Sequence, residues 1–139
     1  MVSSMMALIT IFTSIFFLKS EVAMHQFNGL PGPKAPEEKV GFEKYAYAPL
    51  GYQFKEPTFK LSIAGRLAQA NEFDSAMKLI KEVIAEDSKF YDAYALLVRI
   101  YEYQRNLSGS IELRQIMTKI DPNNKENLKQ LNEDLGKKK

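Results

Sequence analysis

The chain has no cysteine and no tryptophan, and His25 is its only histidine. Without cysteine there is no disulfide framework and no thiolate metal site. A single histidine works as a base only beside an activated nucleophile, and none accompanies His25. An excess of one charge is missing as well. The 19 basic and 17 acidic residues leave a net charge of +2, whereas a nucleic-acid binder carries a clustered basic face. No Gly-rich phosphate loop, HExxH, GxSxG or EF-hand loop occurs. The acidic pairs Glu86-Asp87 and Glu133-Asp134 are neighbours in sequence, and neighbours on a helix do not face one another. They read as solvated helix ends. These absences point to a chain without catalytic activity and imply no cofactor or metal, and 139 residues suffice for one compact domain.

What the chain does have is internal repetition between Pro57 and Asn124. Asp87 and Asp121 lie 34 residues apart (121 − 87). Ile63 and Leu97, Leu67 and Tyr101, Phe73 and Leu107, Ala76 and Ser110, and Val83 and Met117 keep the same offset. Leu128, Leu131 and Leu135 begin a third copy. Apolar residues spaced by three and four predict helices over Thr58–Ala70, Phe73–Ala85, Tyr91–Tyr103, Leu107–Ile120 and Lys125–Leu135. Short turns at Asn71-Glu72 and Arg105-Asn106 predict antiparallel hairpins. Pro122 closes the second hairpin, and Gly136 is expected to end the last helix.

With this spacing, residues 57–136 resemble the tetratricopeptide repeat, whose period is 34. The second copy carries Tyr94, Leu97 and Tyr101, Ser110 where alanine is usual, and Asp121-Pro122 at its end. The first copy carries Ile63, Ala64, Leu67, Ala76, Val83 and Asp87, and departs at Lys60 and Ser88. Arg114 stands where the second helix usually has an aromatic. The resemblance implies an all-α solenoid of two α-α hairpins with a capping helix. It also implies a groove, lined mainly by the first helix of each hairpin, that takes a protein or peptide partner. Candidate groove residues are Lys60, Gln69, Arg99, Glu102 and Tyr103. Arg114 is a further candidate as a ligand-facing cation, against a structural reading in which it pairs internally with Glu102 or another acid.

The N-terminal part is of another kind. Met1–Leu18 holds no charged side chain, and no basic residue precedes it as a signal peptide requires. Residues 1–20 read as a single-pass membrane or signal-anchor helix, with a cleaved signal peptide and a buried core helix as the alternatives. Lys19, Lys34 and Lys39 follow it, which leans the repeat toward the cytoplasmic side. Residues 21–56 read as an irregular linker because LPGPKAP (Leu30–Pro36) breaks helices. The aromatic residues Phe42, Tyr45, Tyr47, Tyr52 and Phe54 are expected to pack on the first repeat, since exposed apolar patches are rare. Residues 137–139 form a basic tail. This order of apolar helix, linker and two repeats, with an arginine before IDPNN (Ile120–Asn124), is also similar to the C-terminal tail of bacterial O-antigen ligase/polymerase-type membrane proteins. That similarity implies the tail of a glycan-handling membrane protein, without the catalytic part. The expectation is a membrane-anchored protein-interaction or assembly module that binds no nucleic acid. An accessory subunit of a membrane complex is the other possibility of the same kind.

Overall fold

The computed structural model describes residues 2–51 and 56–137, with side chains throughout except those of residues 2–12 and Pro36. Among the described residues the chain is all-helical, with no strand. The helices are α1 (Val2–Gly29), α2 (Pro36–Tyr47), α3 (Pro57–Gln69), α4 (Phe73–Glu86), α5 (Tyr91–Tyr103), α6 (Leu107–Ile120) and α7 (Lys125–Lys137). A 3-10 turn, Ala48–Gly51, follows α2. The chain divides into two compact units, Met1–Glu72 and Phe73–Lys139.

The 34-residue period recurs in the backbone. α3, α5 and α7 begin at Pro57, Tyr91 and Lys125 and end at Gln69, Tyr103 and Lys137, each 34 after the last. α4 and α6 begin at Phe73 and Leu107 and end at Glu86 and Ile120, again 34 apart. The turns repeat too. The amide of Glu72 donates to the Leu67 carbonyl (2.9 Å) and that of Asn71 to Ala68 (3.0 Å). One period later, Asn106 donates to Tyr101 (2.8 Å) and Arg105 to Glu102 (3.0 Å). Both are Schellman turns, which close a helix by placing one residue in the left-handed region. That residue is Asn71 (φ 62°) in the first and Arg105 (φ 57°) in the second. After α4 and α6, Asp87 and Asp121 each turn the chain by accepting from an amide two residues on, Lys89 (2.8 Å) and Asn123 (3.1 Å).

A left-handed conformation costs an L-residue with a Cβ about 1–2 kcal/mol, and asparagine tolerates it better. Arg105 is exposed, so its side chain contributes little packing. Arg105→Gly is therefore expected to stabilise the protein by about 0.5–1 kcal/mol, the relief being reduced by glycine's larger unfolded-state entropy. Asn71→Gly should gain less. Urea midpoints of the two variants check the order.

In the Phe73–Lys139 unit, α4 packs on α5, α5 on α6 and α6 on α7. Tyr94, Val98 and Met117 form a buried cluster, with Ile84, Tyr91, Ala95, Leu113 and Ile120 around it. The Tyr94 hydroxyl reaches out of this cluster to the Ser88 carbonyl (3.0 Å). The helix α7 does not stop at Gly136 but runs through it to Lys137; the remaining lysines of the basic tail lie outside the described residues.

The Met1–Glu72 unit corrects the reading of the N-terminal part. Among the described residues no helix is long and apolar enough to cross a membrane, which overturns the expected single-pass anchor and the membrane localisation drawn from it. The helix α1 does not end near Lys19. It continues through Glu21 and His25 to Gly29, and its second half is a packed element of the unit. Ser20, Ala23 and Phe27 are buried, whereas Lys19, Glu21 and His25 are exposed. Ile15–Leu18 and Val22 are exposed on the same helix.

The expected irregular linker is also largely helical. Proline breaks a helix interior but suits its first turn, where no amide partner is lost. Pro36 occupies that position in α2, with Glu37 and Glu38 in the same turn, where carboxylates meet the positive end of the helix dipole. The rings of Phe27 and Phe42 meet at 5.2 Å. The Arg66 guanidinium of α3 lies 5.9 Å from the first ring centre and 5.7 Å from the second, and donates to the Leu30 carbonyl (2.5 Å). Lys39 pairs with the buried Glu72 at 2.6 Å. Phe42 thus packs against the first repeat helix as expected. Tyr45 is instead exposed, and Tyr52 and Phe54 lie outside the described residues.

Candidate partner-binding site

The six candidate residues separate by burial. In the Met1–Glu72 unit, Gln69 is exposed in the last turn of α3, whereas Lys60 is only 5% exposed. Lys60 stands 34 residues before Tyr94 (94 − 60), which is also buried. Its position is therefore the core-facing one of the repeat, and its side chain is not presented as a groove cation.

In the Phe73–Lys139 unit, α5 carries Arg99, Glu102 and Tyr103, all exposed. Steps of three and four residues put them on neighbouring parts of one helix surface. Tyr103 is 68% exposed although its ring touches that of Phe73, with centroids 5.0 Å apart and planes at 43°. One side of the phenol is seated and the other is open, which suits an aromatic contact to a partner.

Arg114 is not offered to a ligand. It is buried on α6, and its Nη2 donates to Glu102 Oε1 at 2.5 Å. Glu102 is the partner named from the sequence. A second acid, Asp134 of α7, lies with Oδ2 at 3.3 Å from Arg114 Nε. These two atoms make an ion pair without hydrogen-bond alignment. Asn127 completes the group. Its Nδ2 donates to the Arg114 carbonyl (3.0 Å) and to Thr118 Oγ1 (2.9 Å), and Arg114 Nη1 lies 3.5 Å from its Oδ1. Lys137 Nζ reaches Asp134 Oδ1 at 3.1 Å from the solvent side.

Asn127 and Asp134 were missed in the sequence, where Asp134 reads as part of a solvated helix end. It is 5% exposed. The overlooked signal is the repeat itself: Asp134 falls 34 after Ile100 and Asn127 falls 34 after Ala93, and both earlier residues are buried. The other acidic pair, Glu86-Asp87, is exposed as read, and so is His25.

Burial pushes the Tyr91 phenol above its ordinary 10.0, and the nearby Asp121 carboxylate adds to the rise. A raised folded-state value means that the native protein holds the proton longer than the unfolded chain. The associated stability is complete below about pH 10 and is lost as pH climbs through the native value. Tyr91→Phe is therefore expected to lose less stability than the native chain above pH 10, measured by urea titration at a series of pH values.

Among the described residues no cluster of acidic and histidine side chains is placed to hold a metal ion. No family model matches the chain, and no curated protein matches it; the site rests on its own geometry, which is an exposed α5 surface supported from below by a buried arginine paired with two carboxylates.

Proposed function

We propose that the chain is a tetratricopeptide-like helical-repeat module that binds a protein or peptide partner through the exposed surface of α5, without catalytic activity of its own. The observation that carries this reading is the recurrence of helix ends and Schellman turns at 34-residue steps from α3 to α7. That period belongs to helix-pair solenoids, which present a continuous surface built from successive first helices. Arg99 and Tyr103 supply contacts of the types enriched at interface anchors, a cation and an aromatic ring. Glu102 is held by Arg114, so one of the three surface residues is oriented before any partner arrives, which lowers the ordering cost of binding.

The test is capture of cellular partners by the full chain and by a variant with Arg99 and Tyr103 both changed to alanine. Partners held through α5 are expected to drop at least about tenfold, the loss of one modest anchor, while an exposed α4 change, Lys81→Ala, leaves them in place. Recovery of the same partners by the double variant would remove α5 as the binding surface.

A further inference from the structure

The 34-residue translation allows two helix interfaces to be compared position by position, α4 on α5 and α6 on α7. Ile80 of α4 corresponds to Arg114 of α6, Ala93 of α5 to Asn127 of α7, and Ile100 of α5 to Asp134 of α7. All six are buried. In the first interface the three positions are apolar and at most 2% exposed. In the second they are a guanidinium, a carboxamide and a carboxylate, joined by the Arg114–Asp134 pair at 3.3 Å and the Asn127 bonds to α6. Burial is conserved between the two interfaces and the chemistry is inverted.

We propose that this triad is a pairing code that sorts the terminal helix from the repeat helix. The face of α6 accepts a helix carrying a carboxamide and a carboxylate seven residues apart, and rejects one carrying apolar residues there. The face of α4 does the reverse. Such a code is needed because α5 and α7 are each 13 residues long and begin after equivalent aspartate turns. Their length and entry do not distinguish them.

Wrong pairings are penalised on both sides. Seating α7 on α4 sets Asp134 against Ile80, which buries a carboxylate without its guanidinium and leaves it the exposed Lys137 alone. Seating α5 in the place of α7 on α6 sets Arg114 against Ala93 and Ile100, which takes the Asp134 carboxylate from the guanidinium and leaves it the half-exposed Glu102 alone. A buried charge stripped of its partner is far more costly than either matched interface. Misassembly among similar repeats is a characteristic failure of such chains, and a second copy of this chain offers the same wrong helices. The code thus opposes exchange between molecules as well as within one. A single buried polar group is known to set register between helices in this way.

The experiment rewrites the triad in the full chain with the residues of the preceding interface: Arg114→Ile alone, Asn127→Ala with Asp134→Ile, and all three together. Each one-sided variant is expected to lower the folding constant at least about a hundredfold. The triple variant is expected to return to within about tenfold of the native chain, because an apolar replacement of a whole buried ion group is often neutral. Its α7 amides should then give more than one set of resonances in 15N-resolved NMR, where the native chain gives one. An Arg114→Ile chain within tenfold of native stability would overturn the code. So would a triple variant that stays as unstable as the one-sided ones, or one whose α7 keeps a single set of resonances.

Discussion

Arg114→Met is expected to destabilise the protein by about 3 kcal/mol, the low end of what removing one partner of a buried ion pair costs. Methionine keeps most of the apolar stem, so the loss reports the guanidinium. Asp134 is the residue that suffers. Its side chain is 7% exposed, and without Arg114 it retains, among the described residues, the ion pair with Lys137, which is itself 64% exposed. That lysine softens the penalty without removing it. Glu102 suffers little, because its side chain is 44% exposed and water replaces the lost donor. The ranking follows: Arg114→Met costs most, Asp134→Asn less because Glu102 still holds the arginine, and Glu102→Gln at most about 1 kcal/mol, as for other surface pairs. Urea denaturation checks it, with a shifted midpoint at unchanged slope. A stability of about 5–15 kcal/mol is usual for a domain, so a 3 kcal/mol loss is well resolved. An Arg114→Met chain within 1 kcal/mol of native would mean that Asp134 is not held by the arginine.

The repeat region was legible because periodicity is a property of the sequence alone. The expected helix at Tyr91–Tyr103 and that at Leu107–Ile120 match α5 and α6 end for end, and the ends of α3 and α4 differ by one residue. Both short turns fall where expected, at Asn71 and Arg105. The N-terminal part was not legible in the same way. Pro36 and the glycines around it read as breakers, but a proline's meaning depends on whether it falls inside a helix or at its start. The continuation of α1 past Lys19 depends on tertiary partners for Ala23 and Phe27, which local pattern does not reveal.

The candidate site divides along the same line. The surface residues of α5 follow from helical phase, and Arg99, Glu102 and Tyr103 are exposed accordingly. Lys60 and Asp134 contradict phase read by residue type, because both are charged residues at core-facing positions. Comparison between copies predicts their burial where polarity does not: Lys60 sits at the place of Tyr94, and Asp134 at the place of Ile100. In a repeated chain the position carries more information about burial than the side chain does.

The second large effect is expected from a residue with no side chain. Gly109 lies in the first turn of α6 beneath Tyr101 of α5. A Cβ at residue 109 would sit 2.5 Å from Tyr101 Cδ2, 2.6 Å from Cε2 and 3.0 Å from Asn106 Nδ2. Distances below 3.0 Å to a ring require movement. The ring that must move belongs to a half-buried tyrosine, and Asn106 is the N-cap whose Oδ1 accepts from the Gly109 amide at 3.0 Å. Gly109→Ala therefore strains both the α5–α6 contact and the cap. Alanine gains about 1 kcal/mol in helix propensity, whereas overpacking a formed contact costs about 1–3 kcal/mol. The expected net loss is up to about 2 kcal/mol. In a Tyr101→Leu background, Gly109→Ala should become neutral or stabilising, giving a coupling of at least about 1 kcal/mol in the double-mutant cycle. Equal costs of Gly109→Ala in the two backgrounds would show that the tyrosine ring is not what requires glycine at this turn.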